Sequence, residues 1–117
     1  LKSFILEPRS RAIIPTGLFV CIPKGYEIQV RPRSGLSFKV GLTLINSPGT
    51  IDARYRDEVG LLVVNNGSEP VVITDGERIG QLVLKRVEFI NWIVKRSVKE
   101  FSDQSDRGGG TGHSGVN

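Results

Sequence analysis

The chain has 117 residues, which is enough for one domain with a single hydrophobic core. Hydrophobic residues make up 38% of it and glycine occurs 14 times, a composition that excludes a disordered or collagen-like chain. The net charge of +4 favours an anionic ligand without specifying its class. No apolar run approaches the ~20 residues that span a bilayer, and none resembles a signal peptide, so we predict a soluble protein.

Short runs rich in Val, Ile and Leu recur about every 8 to 12 residues, separated by Gly, Pro, Asn and Asp. This spacing predicts an antiparallel β-sandwich or barrel, and helical periodicity is nearly absent. Turn-forming sequences such as PTG, PKG, NNGSEP and TDGER agree with it. The predicted strands lie, in chain order, at residues 2–7, 11–15, 18–22, 26–31, 42–46, 59–65, 70–74, 78–87 and 88–95.

One short helical turn is predicted at residues 34–41, with Leu36 and Phe38 packing inward. Near its end the chain becomes polar and glycine-rich, with almost no apolar side chain to anchor it. We therefore predict one β domain over residues 1–99 and a flexible tail over residues 100–117.

Two single residues bear on environment and packing. Cys21 is the only cysteine, so it forms no internal disulfide, and its apolar neighbours predict a buried thiol in a reducing compartment, the cytoplasm. Trp92 alternates with Ile90 and Val94 in the last predicted strand, which places it in the core or at a subunit interface.

Two stretches have the composition of phosphate-binding segments. In RPRSG (residues 31–35) a strand ends in a proline-restricted bend, and the serine and glycine that follow begin the predicted helix, whose N-terminus attracts anions. In RGGGTGHSG (residues 107–115) successive glycine amides and an arginine can form a concave nest for phosphate. The simpler alternatives are a surface turn with a capping serine and a flexible linker.

A third stretch, NSPGTIDARYRDE (residues 46–58), places Asp52 three residues before Tyr55. In a regular strand these two side chains would face opposite sides. A hairpin that bends between them removes the conflict and lets both face one pocket. The alternative is that Asp52 only stabilises a turn.

Together with GERIGQLVL (residues 76–84), these stretches resemble, in chain order, the second to fifth motifs of the trimeric dUTPase family. The resemblance spans almost the whole chain, and four ordered motifs are far more specific than any one of them. It implies an all-β fold, a jelly-roll-like β-clip barrel of short antiparallel strands with one short helix. It also implies a dUTP diphosphatase, which hydrolyses dUTP to dUMP and pyrophosphate.

The resemblance also implies roles for single residues. Asp52 would be the general base that orients a water for attack on the α-phosphorus and contacts the 3'-hydroxyl. Tyr55 would pack against the sugar where the 2'-hydroxyl of a ribonucleotide would lie. The residues implied to recognise uracil, mainly through backbone groups, are Asn46, Gly49, Thr50 and Ile51. The residues implied to hold the phosphates are Arg33, Ser34, Gly35 and Gln81 and, in the tail, Arg107, Gly108, Gly109 and Gly110.

The implied cofactor is Mg²⁺, held chiefly by triphosphate oxygens, so we assign it no direct protein ligand. The implied partners are the nucleotides dUTP and dUMP and two further copies of the chain, because this family builds each site from three subunits of a homotrimer. Neither a membrane nor a stable nucleic-acid complex is expected, since the basic residues are scattered and few aromatics lie among them.

The chain departs from the family pattern in three places. The first motif, whose acid orients a metal-bound water, should precede Leu1, so we expect the natural chain to begin further upstream. Asp57 stands where the third motif usually has glycine, and Thr111 stands near the place of an aromatic that stacks on uracil. His113, the only histidine, is predicted to be a solvated tail residue rather than a phosphate contact.

Two other functions remain open at this point. A related dCTP deaminase shares the fold and the triphosphate site, but it needs a glutamate-centred pocket in place of the hairpin that carries Asp52 and Tyr55. A non-catalytic trimeric binding or regulatory homologue would bind dUTP without hydrolysing it. Pyrophosphate release from dUTP and ammonia release from dCTP separate these possibilities.

Overall fold

The computed structural model describes residues 2–101. The predicted phosphate-binding residues of the tail therefore lie outside the described part of the chain. The elements are β1 Ser3–Leu6, β2 Arg11–Pro15, β3 Tyr26–Pro32, α1 Ser34–Val40, β4 Leu42–Leu44, β5 Gly49–Ile51, β6 Gly60–Asn65, β7 Val71–Thr74, β8 Gly80–Arg86 and a 3₁₀ turn Val98–Glu100.

The strands form three small antiparallel sheets: β1 pairs with β7, β6 lies between β2 and β4, and β3 lies between β5 and β8. Many of these partners are far apart in sequence, as when β3 pairs with β8, so the chain crosses repeatedly between sheets. Short antiparallel strands with one helix confirm the predicted all-β, jelly-roll-like β-clip class.

The core lies where these sheets face one another, and strand alternation explains its composition. In β6, Leu61 and Val63 are buried while Leu62 between them is exposed, and in β4 Leu42 and Leu44 are buried on either side of Thr43. The buried apolar residues are Leu6, Ile14, Ile22, Val30, Leu42, Leu44, Ile51, Val59, Leu61, Val63, Ile73 and Ile79.

Two predicted strands are wrong. Residues 18–22 form no strand: Leu18 accepts a hydrogen bond from the Val59 amide at 2.8 Å, but no ladder follows. The segment is bounded by Pro15 and Pro23, which cannot donate to a ladder. Residues 88–95 also form no strand and are exposed throughout. Apolar alternation there predicts an apolar face that packs against another surface, but no other part of the described residues buries it.

One strand is missing from the prediction, and the predictions for three side chains need correction or narrowing. The strand β5 was not predicted, because only three residues between Pro48 and Asp52 form it. Phe38 does not pack inward and is 93% exposed, whereas Leu36 on the same helix is half-buried against the core. Cys21 is exposed rather than buried. Trp92 is 80% exposed, which excludes the core and leaves a subunit interface as the prediction.

The only α-helix in residues 2–101 has seven residues, and none of the helices there has the length and apolar character that crossing a membrane requires.

Candidate functional site

The third-motif segment, which we define as residues 46–58, carries the predicted uracil-binding residues. It is not the predicted hairpin, because β4 pairs with β6 and β5 pairs with β3, so the two strands lie in different sheets. Gly49 and Ile51 are buried and pair with β3, while Thr50 between them is exposed. Asn46 is exposed, and its amide nitrogen would lie 3.0 Å from a Cβ added at Gly49. A side chain at position 49 would therefore displace the Asn46 side chain from its place beside β5.

The predicted bend between Asp52 and Tyr55 is present. The Tyr55 amide donates to the Asp52 carbonyl at 3.2 Å, and the Arg54 amide donates to Asp52 Oδ1 at 2.8 Å. The Asp52 side chain thus closes its own turn, which is the structural role considered above, and its carboxylate is still exposed to solvent. The turn fixes the direction of the carboxylate without burying it.

The Tyr55 side chain is fixed both by packing and by a hydrogen bond. Its ring is half-buried against the core, and its hydroxyl donates to the Glu58 carbonyl at 2.7 Å. The Glu58 carboxylate in turn accepts a hydrogen bond from the Gly17 amide at 2.8 Å. Both ends of the tyrosine are therefore fixed, and the ring has a defined position beside the turn. That Asp52 and Tyr55 contact one substrate stays a prediction.

The second and fourth motifs meet in an open cleft of about 760 Å³. Gln81 belongs to β8, and its side-chain amide donates to the Pro32 carbonyl at the end of β3 at 3.0 Å. The pairing of these two strands thus brings residues 49 positions apart to one place. The cleft is lined by Arg33, Ser34, Gly35, Leu36, Lys39, Arg78 and Gln81.

All four phosphate-binding residues predicted in residues 2–101 line this cleft, and two cations that were not predicted join them. Lys39 lies four residues after Gly35, so the two share one face of α1. Arg78 lies three residues before Gln81, inside the fourth motif. The extent of the helix and the position of Arg78 in the motif are the signals that could have identified them.

The charge of the cleft is one-sided. Arg33, Lys39 and Arg78 line it, and its described lining contains no aspartate or glutamate. A second cavity of about 600 Å³ shares Arg78 and Gln81 with the cleft but is bordered by acidic residues, among them Glu58, Asp75 and Glu77. Of the two, only the cleft has the charge that suits a polyphosphate.

The third-motif segment and the cleft are separate surfaces of the described chain. The lining of the cleft includes none of Asn46, Asp52 or Tyr55. The predicted tail residues, Arg107 and Gly108 to Gly110, lie outside the described residues. The structure thus brings the phosphate-binding residues of the described chain together, and in the third-motif segment it brings Asn46 to Gly49 and Tyr55 to Asp52, but it does not join the segment and the cleft in one cavity.

Comparison with known proteins identifies the family. The dUTPase family model matches residues 1–115. The protein of Desulfotalea psychrophila named deoxyuridine 5'-triphosphate nucleotidohydrolase is 52% identical over 111 residues, which are 95% of this chain and 72% of that protein.

Two solved structures share the fold. The dUTPase of Staphylococcus bacteriophage 80alpha, a mutant with dUpNHpp, has 29% identity and a TM-score of 0.73 and covers 92% of this chain and 76% of its own. A mutant dUTPase from phage phi11 of S. aureus, whose structure reveals the coordination of a structural Mg(II) ion, has 25% identity and a TM-score of 0.71. The match covers 84% of this chain and 80% of that chain. The chain belongs to the dUTPase family.

Proposed function

We propose that this protein is a dUTP diphosphatase, which hydrolyses dUTP to dUMP and pyrophosphate. The observation that carries the proposal is the cationic cleft, in which residues of the second and fourth motifs converge. Three cations without a lining carboxylate suit a triphosphate, and the third-motif segment offers a carboxylate and an aromatic ring of the kinds that the chemistry needs. The membership in the dUTPase family supports the choice of nucleotide.

Asp52 is the general base in this proposal. Its Oδ1 accepts the Arg54 amide, so the carboxylate is held in place and Oδ2 can take the proton of an attacking water. The water oxygen forms a bond to the α-phosphorus as the bond to the bridging oxygen breaks, and pyrophosphate leaves with the electron pair of that bond. An exposed carboxylate is a weak base, so its placement beside the water supplies most of the effect.

Tyr55 excludes ribonucleotides. The bond from its hydroxyl to the Glu58 carbonyl holds the ring rigidly, so a sugar packed against it has no room for a 2'-hydroxyl. An apolar wall alone discriminates against an added hydroxyl by only about a hundredfold. Because the Tyr55 ring is fixed, a 2'-hydroxyl would also clash with it, and this steric repulsion increases the discrimination. The anchored hydroxyl is thus what makes the tyrosine an effective filter.

Uracil is recognised by the backbone of β5. This strand is at the edge of its sheet, because β3 covers only one side of it. The free backbone groups of Gly49 to Ile51 can present the donors and acceptors that match uracil, and the Asn46 amide lies beside them. Cytosine presents the inverse pattern, and the methyl group of thymine would meet the closely approaching backbone at Gly49.

The cleft holds the phosphates. We assign this role to the predicted residues Arg33, Ser34, Gly35 and Gln81 and add Lys39 and Arg78, with Arg107 and Gly108 to Gly110 of the tail as a further contribution. In residues 2–101, no three His, Cys, Asp or Glu side chains form a group that could hold a metal. We therefore propose that Mg²⁺ arrives bound to the oxygens of the triphosphate, where it neutralises charge, and that the protein binds that complex.

The protein works as a homotrimer in this proposal. The arm, which we define as residues 88–101, exposes the large apolar side chains Phe89, Ile90, Trp92, Ile93, Val94, Val98 and Phe101. A contiguous apolar segment of this size calls for a covering surface, and another copy of the chain supplies one. Assembly would also bring the third-motif segment of one subunit to the cleft of another, which would join the two halves of the site.

The direct test is pyrophosphate release from dUTP, measured beside UTP and dCTP with Mg²⁺ present. We expect turnover of dUTP far above that of the other two. Ammonia release from dCTP would indicate the deaminase instead. Tight binding of dUTP without pyrophosphate release would indicate the non-catalytic homologue.

A further inference from the structure

The C-terminal end of α1 contacts the turn that follows β6, which we call the β6 turn and define as residues 65–69. We infer that the β6 turn is a brace that positions α1, and with it the phosphate cleft. Asn65 and Gly67 are then positioning residues, since neither lines the cleft. The inference rests on the proposed function, because it concerns how the triphosphate is held.

The helix needs such a support because it has no buried face. None of the residues of α1 is buried, and only Leu36 packs partly against the core. Its position is therefore set mainly at its two ends. At the N-terminal end, Pro32 closes the ladder of β3 and accepts a hydrogen bond from Gln81. The other end is held by the β6 turn.

At that other end, two glycines let two backbones touch. Gly41 ends α1 in the left-handed region with φ 78°, and its carbonyl accepts the Asn66 amide at 2.8 Å. A Cβ on Gly41 would come within 2.7 Å of the Gly67 Cα, and a Cβ on Gly67 would collide with the Val40 carbonyl. No side chain fits on either side, so a change at Gly67 must displace the end of the helix.

The β6 turn itself is fixed by a buried side chain. Asn65 is fully buried, and its Oδ1 accepts the Gly67 amide at 2.8 Å. Its Nδ2 donates to the carbonyls of Leu6 and Glu69 at 2.9 and 2.8 Å. Because the Asn65 side chain bonds the β6 turn to the end of β1, the position of the turn is fixed. The turn can therefore support the C-terminal end of α1.

Displacement of the helix end acts directly on the cleft. Lys39 is the residue before Val40, whose carbonyl meets Gly67, and three more residues of the cleft lining, Ser34 to Leu36, belong to the same short helix. A displacement of about 1 Å in a substrate-positioning group can reduce activity by about a hundredfold, even when the changed residue is remote from the chemistry.

The experiment compares Gly67→Ala with Gly60→Ala in the intact protein. At Gly60, the first residue of β6, a Cβ would meet the Ile13 side chain at 2.9 Å, so that variant is crowded but lies away from α1. For Gly67→Ala we expect the KM for dUTP to rise about tenfold to hundredfold. The affinity for dUMP, which keeps only one of the three phosphates, should fall much less. For Gly60→Ala both quantities should match the unaltered protein.

A second measurement needs no variant. Because coupling between two sites is reciprocal, binding of the triphosphate should slow hydrogen exchange at the Asn66 and Gly67 amides. We expect this with an α,β-imido analogue of dUTP and not with dUMP. Equal exchange with both ligands would overturn the inference, as would a Gly67→Ala enzyme with the KM of the control. Failure of the unaltered protein to release pyrophosphate from dUTP would instead overturn the proposed function.

Discussion

The side-chain amide of Gln81 donates to the backbone carbonyl of Pro32 at 3.0 Å, and this bond fixes the start of β8 against the end of β3. Two of the three cations of the phosphate cleft come from segments adjoining this contact: Arg33 follows Pro32, and Arg78 precedes Gln81, whereas Lys39 comes from α1. The cleft therefore lies where a strand pair meets a short helix, which suits a site that must hold several charged oxygens in register.

Replacing Arg78 by Ala should weaken binding of the triphosphate. A charged hydrogen bond contributes about 1.5 to 3 kcal/mol, so we expect the KM for dUTP to rise about tenfold to hundredfold. Steady-state kinetics at fixed ionic strength measure this. The matched control is Arg86→Ala at the far end of β8, where the guanidinium lies over the Tyr26 ring. An equal rise in KM for both variants would contradict the assignment of Arg78 to the cleft.

Replacing Asp52 by Asn should abolish most turnover and leave binding intact. Asparagine keeps an oxygen for the Arg54 amide, so the turn is preserved while the proton acceptor is lost. General-base catalysis contributes about 10²- to 10⁴-fold, and we expect kcat to fall within that range. Calorimetry with the imido analogue of dUTP checks binding.

The control for this change is Asp57→Asn, which removes an exposed carboxylate from the same loop. It should leave kcat close to that of the unaltered protein. Unchanged turnover of Asp52→Asn would reject Asp52 as the base.

Two substitutions at Tyr55 should separate the ring from its hydroxyl. Tyr55→Phe keeps the ring and loses the bond to the Glu58 carbonyl, which should lower the free energy of unfolding by about 1 kcal/mol. Tyr55→Ala removes the wall, and we expect the preference for dUTP over UTP to fall by about a hundredfold or more. The ratio of kcat/KM for the two nucleotides measures this, and an unchanged ratio in Tyr55→Ala would show that the filter lies elsewhere.

Assembly can be followed through Trp92, the only tryptophan of the chain. In the single chain its side chain is 80% exposed, so a dissociated subunit should emit at the long wavelength of a solvated indole. In the proposed trimer the arm is covered, and we expect emission at a shorter wavelength that shifts back on dilution, together with a loss of activity. Sedimentation at the mass of one chain at working concentrations would contradict the trimer.

Much of the fold could be predicted because alternation in a strand reports which face is buried. In β3 the apolar positions Tyr26, Ile28 and Val30 alternate with polar ones, and all three contact the core as expected. The same alternation at residues 88–95 gives no strand in the described chain. Apolar alternation indicates that one face of a segment is apolar. It does not indicate whether that face packs against the same chain or against another subunit.

Other features could not be read from local sequence for equally physical reasons. The strand β5 is only three residues long and follows a proline turn, so its composition resembles that of a loop. Phe38 is apolar, but the direction of its side chain depends on the rotation of α1 about its axis. In the structure this side chain is exposed to solvent. The motifs supplied Arg33, Ser34, Gly35 and Gln81, whereas Lys39 joins them only because the helix continues past its first turn.

The exposed thiol of Cys21 offers a practical handle on this molecule. Because the chain has one cysteine and its side chain reaches solvent, a maleimide dye would label each copy once. Mixing copies that carry a donor with copies that carry an acceptor would then report association by energy transfer, without any engineered residue. The same accessibility means that air oxidation can link two copies covalently, so a reductant belongs in every preparation.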